Sequence, residues 1–128
     1  MAAFEKGKTY TRAEVADMID LPPERRSGGN WTTGYDSWNG EVFVFCNVGA
    51  AGRTGHNYKN KWIGDQLEWY GKTNSGKGHP SIQKMTVGST PVHVFWRRSD
   101  KDRFHYAGSG RPSEVVDEVP VRIRWRFD

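Results

Sequence analysis

The chain has 128 residues, enough for one domain with one modest core. Of these, 35% are hydrophobic and 27% charged, and the formal net charge is +4. No apolar run reaches membrane-spanning length, and the start, Met-Ala-Ala-Phe-Glu-Lys, has no apolar signal-peptide core, so a cytoplasmic protein is expected. The single cysteine, Cys46, excludes an internal disulfide and any cysteine-rich zinc site.

Along the chain, Thr11-Arg12-Ala13-Glu14 has the form of a capping box, with Thr11 as N-cap and Glu14 three residues on. Ala13, Val15, Ala16, Met18 and Ile19 supply the apolar side of a short helix that must stop before Pro22-Pro23. Residues 25–40 read as a turn-rich loop holding Gly28-Gly29, Trp31, Tyr35, Trp38 and Asn39-Gly40. Residues 41–47 are a near-continuous apolar run, the pattern of a central strand, and Cys46 inside it reads as a buried structural thiol. Residues 66–70 alternate, with Leu67 and Trp69 on one side and Glu68 and Tyr70 on the other. A short helix is expected over 79–87, starting at Pro80. Residues 92–98 place Val92, Val94 and Trp96 on one face, and Ser99-Asp100-Lys101-Asp102 has the form of a hairpin turn into a strand over 103–108. Residues 119–127 alternate strongly, with Val121, Ile123, Trp125 and Phe127 opposite Arg122, Arg124 and Arg126. Short strands with two short helices predict an α+β, mainly β domain, built as a small, mostly antiparallel barrel. Six tryptophans exceed what such a core needs, so several are expected to line a concave surface.

The charge is local. Between Arg53 and Lys84, six cations (Arg53, Lys59, Lys61, Lys72, Lys77, Lys84) face only Asp65 and Glu68, a surplus of +4, while the flanking stretches carry −2 and +2. Tyr58, Trp62, Trp69 and Tyr70 are threaded through the same segment. Cations attract phosphate and flat rings stack on bases, so this pattern points to nucleic acid.

Other chemistries fit poorly. Residues 71–78, Gly-Lys-Thr-Asn-Ser-Gly-Lys-Gly, approach a phosphate-binding P-loop, but Gly78 lacks the hydroxyl that holds Mg²⁺ and His79-Pro80 spoils the following helix. The four histidines are widely spaced, His93 and His105 within strands, and no metal cluster forms in sequence. Neither a nuclease carboxylate cluster nor a G-x-S-x-G elbow is present. A binding module without catalysis, metal or cofactor is expected. The Arg122/Arg124/Arg126 stripe reads either as a solvated face paired with Glu114, Asp117 and Glu118 or as phosphate contacts, the first being favoured. Asn30-Trp31-Thr32-Thr33-Gly34-Tyr35-Asp36 offers two rings, two hydroxyls and a carboxylate around a glycine, the kit of a planar-base pocket. An ordinary loop whose Trp31 plugs the barrel end accounts for it equally well.

Gly7-Lys8-x-Tyr10-x-Arg12-x-Glu14-Val15, Tyr58-x-Asn60-x-Trp62, Leu67-x-Trp69-Tyr70-Gly71-Lys72, Val92-His93-Val94-Phe95-Trp96-Arg97 and Phe104-x-Tyr106-Ala107-Gly108 follow one another in an order that resembles PUA-superfamily modules of the SRA-like kind. These accompany McrA-type HNH restriction systems, and the similarity is strongest to the N-terminal 5-methylcytosine-binding domain of actinobacterial proteins from that context. The resemblance implies a small PUA/SRA-like β-barrel with one or two short helices that flips a modified cytosine out of double-stranded DNA. On that reading Trp31, Tyr35 and Trp69 stack the base, and Thr32, Thr33 and Asp36 read its edge around Gly34, with Asp65 the rival carboxylate. Arg53, in the glycine-rich stretch 49–55, enters the duplex. Lys59, Lys61, Lys72, Lys77 and His79 hold phosphates, with His56 and Asn57 beside them. The alternative is a reader of modified or single-stranded RNA, as in YTH- or ASCH-like relatives.

Overall fold

Thr11 caps the first helix as its sequence dictates. The Glu14 backbone N–H donates to Thr11 Oγ1 (3.1 Å) and the Thr11 N–H donates to Glu14 Oε1 (2.9 Å). That backbone donor is the largest cause holding the Glu14 carboxyl below its ordinary range, with Arg103 reinforcing it. The computed structural model describes residues 4–27, 29–32, 34–48, 60–71, 78, 80–86, 90–99, 101–118 and 120–127. In chain order the elements are β1 (Thr9–Tyr10), α1 (Arg12–Met18), α2 (Pro23–Arg26), a 3₁₀ turn (Gly29–Thr32), β2 (Tyr35–Trp38), β3 (Glu41–Asn47), β4 (Lys61–Ile63), β5 (Gln66–Tyr70), α3 (Pro80–Thr86), β6 (Val92–Arg97), β7 (Phe104–Val116) and β8 (Arg122–Phe127). No helix among the described residues is long and apolar enough to cross a membrane.

The strands at 41–47 and 66–70 and the helix from Pro80 lie where the sequence puts them. The stretch 25–40 is more ordered than a loop. Asn39 (φ 52°) and Gly40 (φ 80°) both adopt the left-handed conformation that a tight two-residue hairpin demands, and they turn β2 back onto β3. Pro22-Pro23 ends α1 but starts α2, because a proline at the first turn of a helix has no N–H to lose. β7 runs to Val116, well beyond the expected end at 108, and β8 starts at Arg122 rather than 119.

The sheet order is β2-β3-β6-β7-β8-β5-β4, with β1 added beside β7. Every pairing is antiparallel except β3 with β6, whose register runs from Val42↔Val92 to Asn47↔Arg97. The path is open between β2 and β4, yet the sheet curls on itself. Tyr35 of β2 meets Trp69 of β5 with ring centroids 5.4 Å apart, and Trp62 of β4 meets Trp96 of β6 at 5.5 Å.

β3 is buried on both faces and divides two cores. Val42, Val44 and Cys46 face inward to Leu67, Trp69, Val94, Ile123 and Trp125, and Ile82 and Met85 of α3 join that cluster. Phe43 and Phe45 face outward to Phe95, Phe104, Trp31 and the Val15–Ala16 side of α1. Alternation along a strand sends successive side chains to opposite faces, so one apolar run supplies both cores. β7 serves both halves of the curled sheet, pairing with β1 and β6 through its first part and with β8 through its second. The changeover falls at Gly110, where a Cβ would lie 3.0 Å from the Trp125 ring and 3.2 Å from Val94. Gly110→Val should therefore overpack the inner core and cost about 1–3 kcal/mol, read as a lower urea midpoint at unchanged slope; a midpoint equal to the parent's would show that the sheet can give way there.

Candidate nucleic-acid interface

Trp31 sits on the 3₁₀ turn, 2% exposed, with its ring 5.1 Å from Phe45 and 5.8 Å from Phe43 and its indole N–H donating to the Arg12 carbonyl at 3.4 Å. It is part of the outer core. Thr32 beside it is exposed. Gly34 (φ 134°) accepts a hydrogen bond from Phe45 N through its carbonyl, which fixes the start of β2. From there alternation decides the rest. Tyr35, opposite Val44, turns inward to Trp69, whereas Asp36, opposite Phe43, turns outward. Arg25 Nη2 donates to both Asp36 oxygens (3.2 and 3.1 Å) and to the Ser37 carbonyl (3.1 Å), and the Arg25 guanidinium lies 5.1 Å over the Trp38 ring. Asp65 is exposed in the two-residue turn between β4 and β5. Of the expected pocket residues, the fold thus brings Tyr35 and Trp69 together, places Trp31 and Asp36 on the opposite face of the β2–β3 hairpin, and leaves Asp65 at a hairpin tip. Thr33 lies outside the described residues, as do Arg53, His56, Asn57, Lys59, Lys72, Lys77 and His79. Lys61 is described: its side chain is 62% exposed, with the ammonium 3.8 Å from Glu68.

Glu68 is the residue that its alternating strand conceals. It is 5% exposed on the outer face of β5, where β8 pairs with it, and it accepts from Arg124 Nη2 (3.3 Å) and Arg122 Nη1 (3.4 Å). Arg122 Nε also approaches Glu118 at 3.7 Å. Two of the three stripe arginines are thus counter-ions of a buried carboxylate, and one of the expected acidic partners takes part. A second buried polar group is explained the same way. His93 lies between Glu41 (Nε2 to Oε1, 2.8 Å) and Tyr106 (Nδ1 to Oη, 2.9 Å), stacked on Phe43 at 5.2 Å, and burial pushes the Tyr106 hydroxyl up to about 12. Among the described residues no group of His, Cys, Asp and Glu could hold a metal ion.

The sequence reading passed over one aromatic group. Trp62 meets Trp96 and Phe127, His105 stacks on Trp96 at 4.7 Å and 27°, and Arg98 lies 5.4 Å over the same indole. These half-buried rings lie at the end of β6 next to Val48 and Asn60, where the chain leaves and rejoins the sheet. Trp62 and Trp96 were legible as motif aromatics; their meeting follows only from the curl of the sheet.

No protein-family model and no curated protein matches this chain in sequence. Its fold does have a likeness among solved structures: the SRA domain of SUVH5, crystallised with hemi-methylated CG DNA. The TM-score is 0.65 at 14% identity, over 100% of this chain and 91% of that one. The fold is SRA-like.

Cys46 makes no chemistry here. Its thiol is buried, 3.6 Å from the Phe95 carbonyl, and burial pushes it up to about 12. At pH 8 a group so shifted is ionised to roughly one part in 10⁴, and only the thiolate reacts. Ellman's reagent should leave the native thiol unlabelled over an hour at pH 8 and titrate one thiol per chain in denaturant; fast labelling of the native protein would contradict the burial.

Proposed function

We propose that this domain binds double-stranded DNA carrying 5-methylcytosine or 5-hydroxymethylcytosine and turns the modified base out of the helix toward aromatic side chains. The observation that carries the reading is the likeness of the whole chain to an SRA domain crystallised with hemi-methylated CG DNA. The sequence adds two supports, the +4 surplus between Arg53 and Lys84 and the rings threaded through it. The arginines Arg122 and Arg124 are engaged with Glu68, so the phosphate contacts fall to Lys61, described and mostly exposed, and to Lys59, Lys72, Lys77 and His79.

The energetics make a division of labour necessary. Flipping a base costs a few kcal/mol and one base–aromatic stack returns about 1–3 kcal/mol, so stacking on Tyr35 or Trp69 needs help from backbone neutralisation and from a side chain filling the vacated space. Arg53 takes that last part. Thr32, Thr33 and either Asp36 or Asp65 read the base edge, and the Asp36 carboxylate is held in place by Arg25.

The test is a competition assay at near-physiological salt with one duplex carrying unmodified, 5-methylated or 5-hydroxymethylated cytosine, and a matched RNA. Modified duplex should bind at least about tenfold tighter (~1.4 kcal/mol), affinity should fall steeply as salt rises, and Arg53→Ala should weaken the modified complex. Equal binding to all duplexes, or preference for the RNA, would overturn the reading.

A further inference from the structure

Asn60 is uncharged, precedes a three-residue strand, and is 7% exposed. Its amide nitrogen donates to the Asn47 carbonyl (3.0 Å) and its Oδ1 accepts from the Tyr70 backbone N–H (2.8 Å). Asn47 is held in turn, its own Oδ1 accepting from Arg97 Nε at 2.8 Å, and the Val48 N–H donates to the Arg97 carbonyl at 2.8 Å. Arg97 is itself seated over the Phe104 ring at 4.2 Å. Two chain positions thirteen apart are thus bound to one another, and through Asn60 and Arg97 to β5 and β6. Only a side-chain amide offers a donor and an acceptor at the spacing required; a carboxylate keeps the acceptor and loses the donor, and alanine loses both.

Between these anchored positions lie residues 49–59, the stretch that holds Arg53, His56, Asn57 and Lys59. We propose that Asn60 is a positioning residue for DNA binding: by joining the point of departure at Asn47–Val48 to the point of return, it fixes where those side chains are presented. The inference rests on the function proposed above. Its physical content is that the two ends are placed when the protein folds, so that less ordering is left to be done when DNA binds. A merely structural asparagine would make the same hydrogen bonds, but its removal would act independently of Arg53.

That difference is measurable with the full chain. Asn60→Ala, Asn60→Asp, Arg53→Ala and the Arg53→Ala/Asn60→Ala double variant are compared for binding to 5-methylcytosine duplex and for the fluorescence of 2-aminopurine placed beside the target base, after circular dichroism has shown each to be folded. Asn60→Ala should weaken binding by about tenfold (~1.4 kcal/mol) and reduce the 2-aminopurine signal. In the Arg53→Ala background it should cost less than about twofold more, because side chains acting through one another are not additive. If Asn60→Ala does not fold, Asn60→Asp, which retains the Tyr70 contact, takes its place in the cycle. Binding unchanged from the parent, or an equal loss in both backgrounds, would overturn the inference. A parent protein that does not distinguish modified from unmodified duplex sinks the proposed function itself. A parent that does, and loses the distinction on Arg53→Ala but keeps it on Asn60→Ala, sinks only the role of Asn60.

Discussion

The parallel pairing of β3 with β6 is the constraint from which the rest of the domain is arranged. Two adjacent strands covered on both faces must be apolar almost throughout, and their alternation then commits each residue to one of two cores. Val44 and Val94 pair on one face, and Phe45 and Phe95 stack on the other with centroids 5.0 Å apart. A slip of one residue would exchange the two sets, which α1 and Trp31 on one side and β5, β8 and α3 on the other could not accommodate. The ends of the pair are closed by polar side chains, Glu41 with His93 at one and Asn47 with Arg97 at the other. The same paired strands that make the core rigid therefore anchor Asn60 and the return of the chain.

Charge in this domain is mostly internal bookkeeping. Glu68 draws in Arg122, Arg124 and Lys61, and Asp36 draws in Arg25. A buried carboxylate is tolerable only when paired, so cations near it are tied first to stability. The net charge alone thus says little about a ligand, and it is the placement of the surplus outside such pairs that bears on function.

How far the sequence carried the reading depended on what each residue faces. β3 and β5 were legible to the residue because continuous or alternating apolar runs have few other uses. β2 was hidden because Asp36 and Ser37 look like loop residues until Arg25 and the Asn39-Gly40 turn are seen around them. The second half of β7 was hidden by Gly110, Pro112 and Glu114, residues that a curled sheet accepts at a changeover and a bulge but that propensity reads as an ending. Around the site the limits were sharper. Trp31 carried the same ring as a base-stacking residue and is core, because ring chemistry is visible in sequence and facing direction is not. Asn60 appeared only as part of a motif, since its importance lies in two backbone partners supplied by distant strands.

The β3–β6 pair also joins positions fifty residues apart. Contacts of such separation form late, because the entropy of closing the intervening chain is lost before the pairing rewards it. During synthesis the run Val42-Phe43-Val44-Phe45 emerges long before its partner, with both strand edges unpaired and both faces apolar. For that interval the strand that organises the finished domain is its most adhesive segment, and the yield of folded protein is set by how quickly residues 92–97 arrive to cover it.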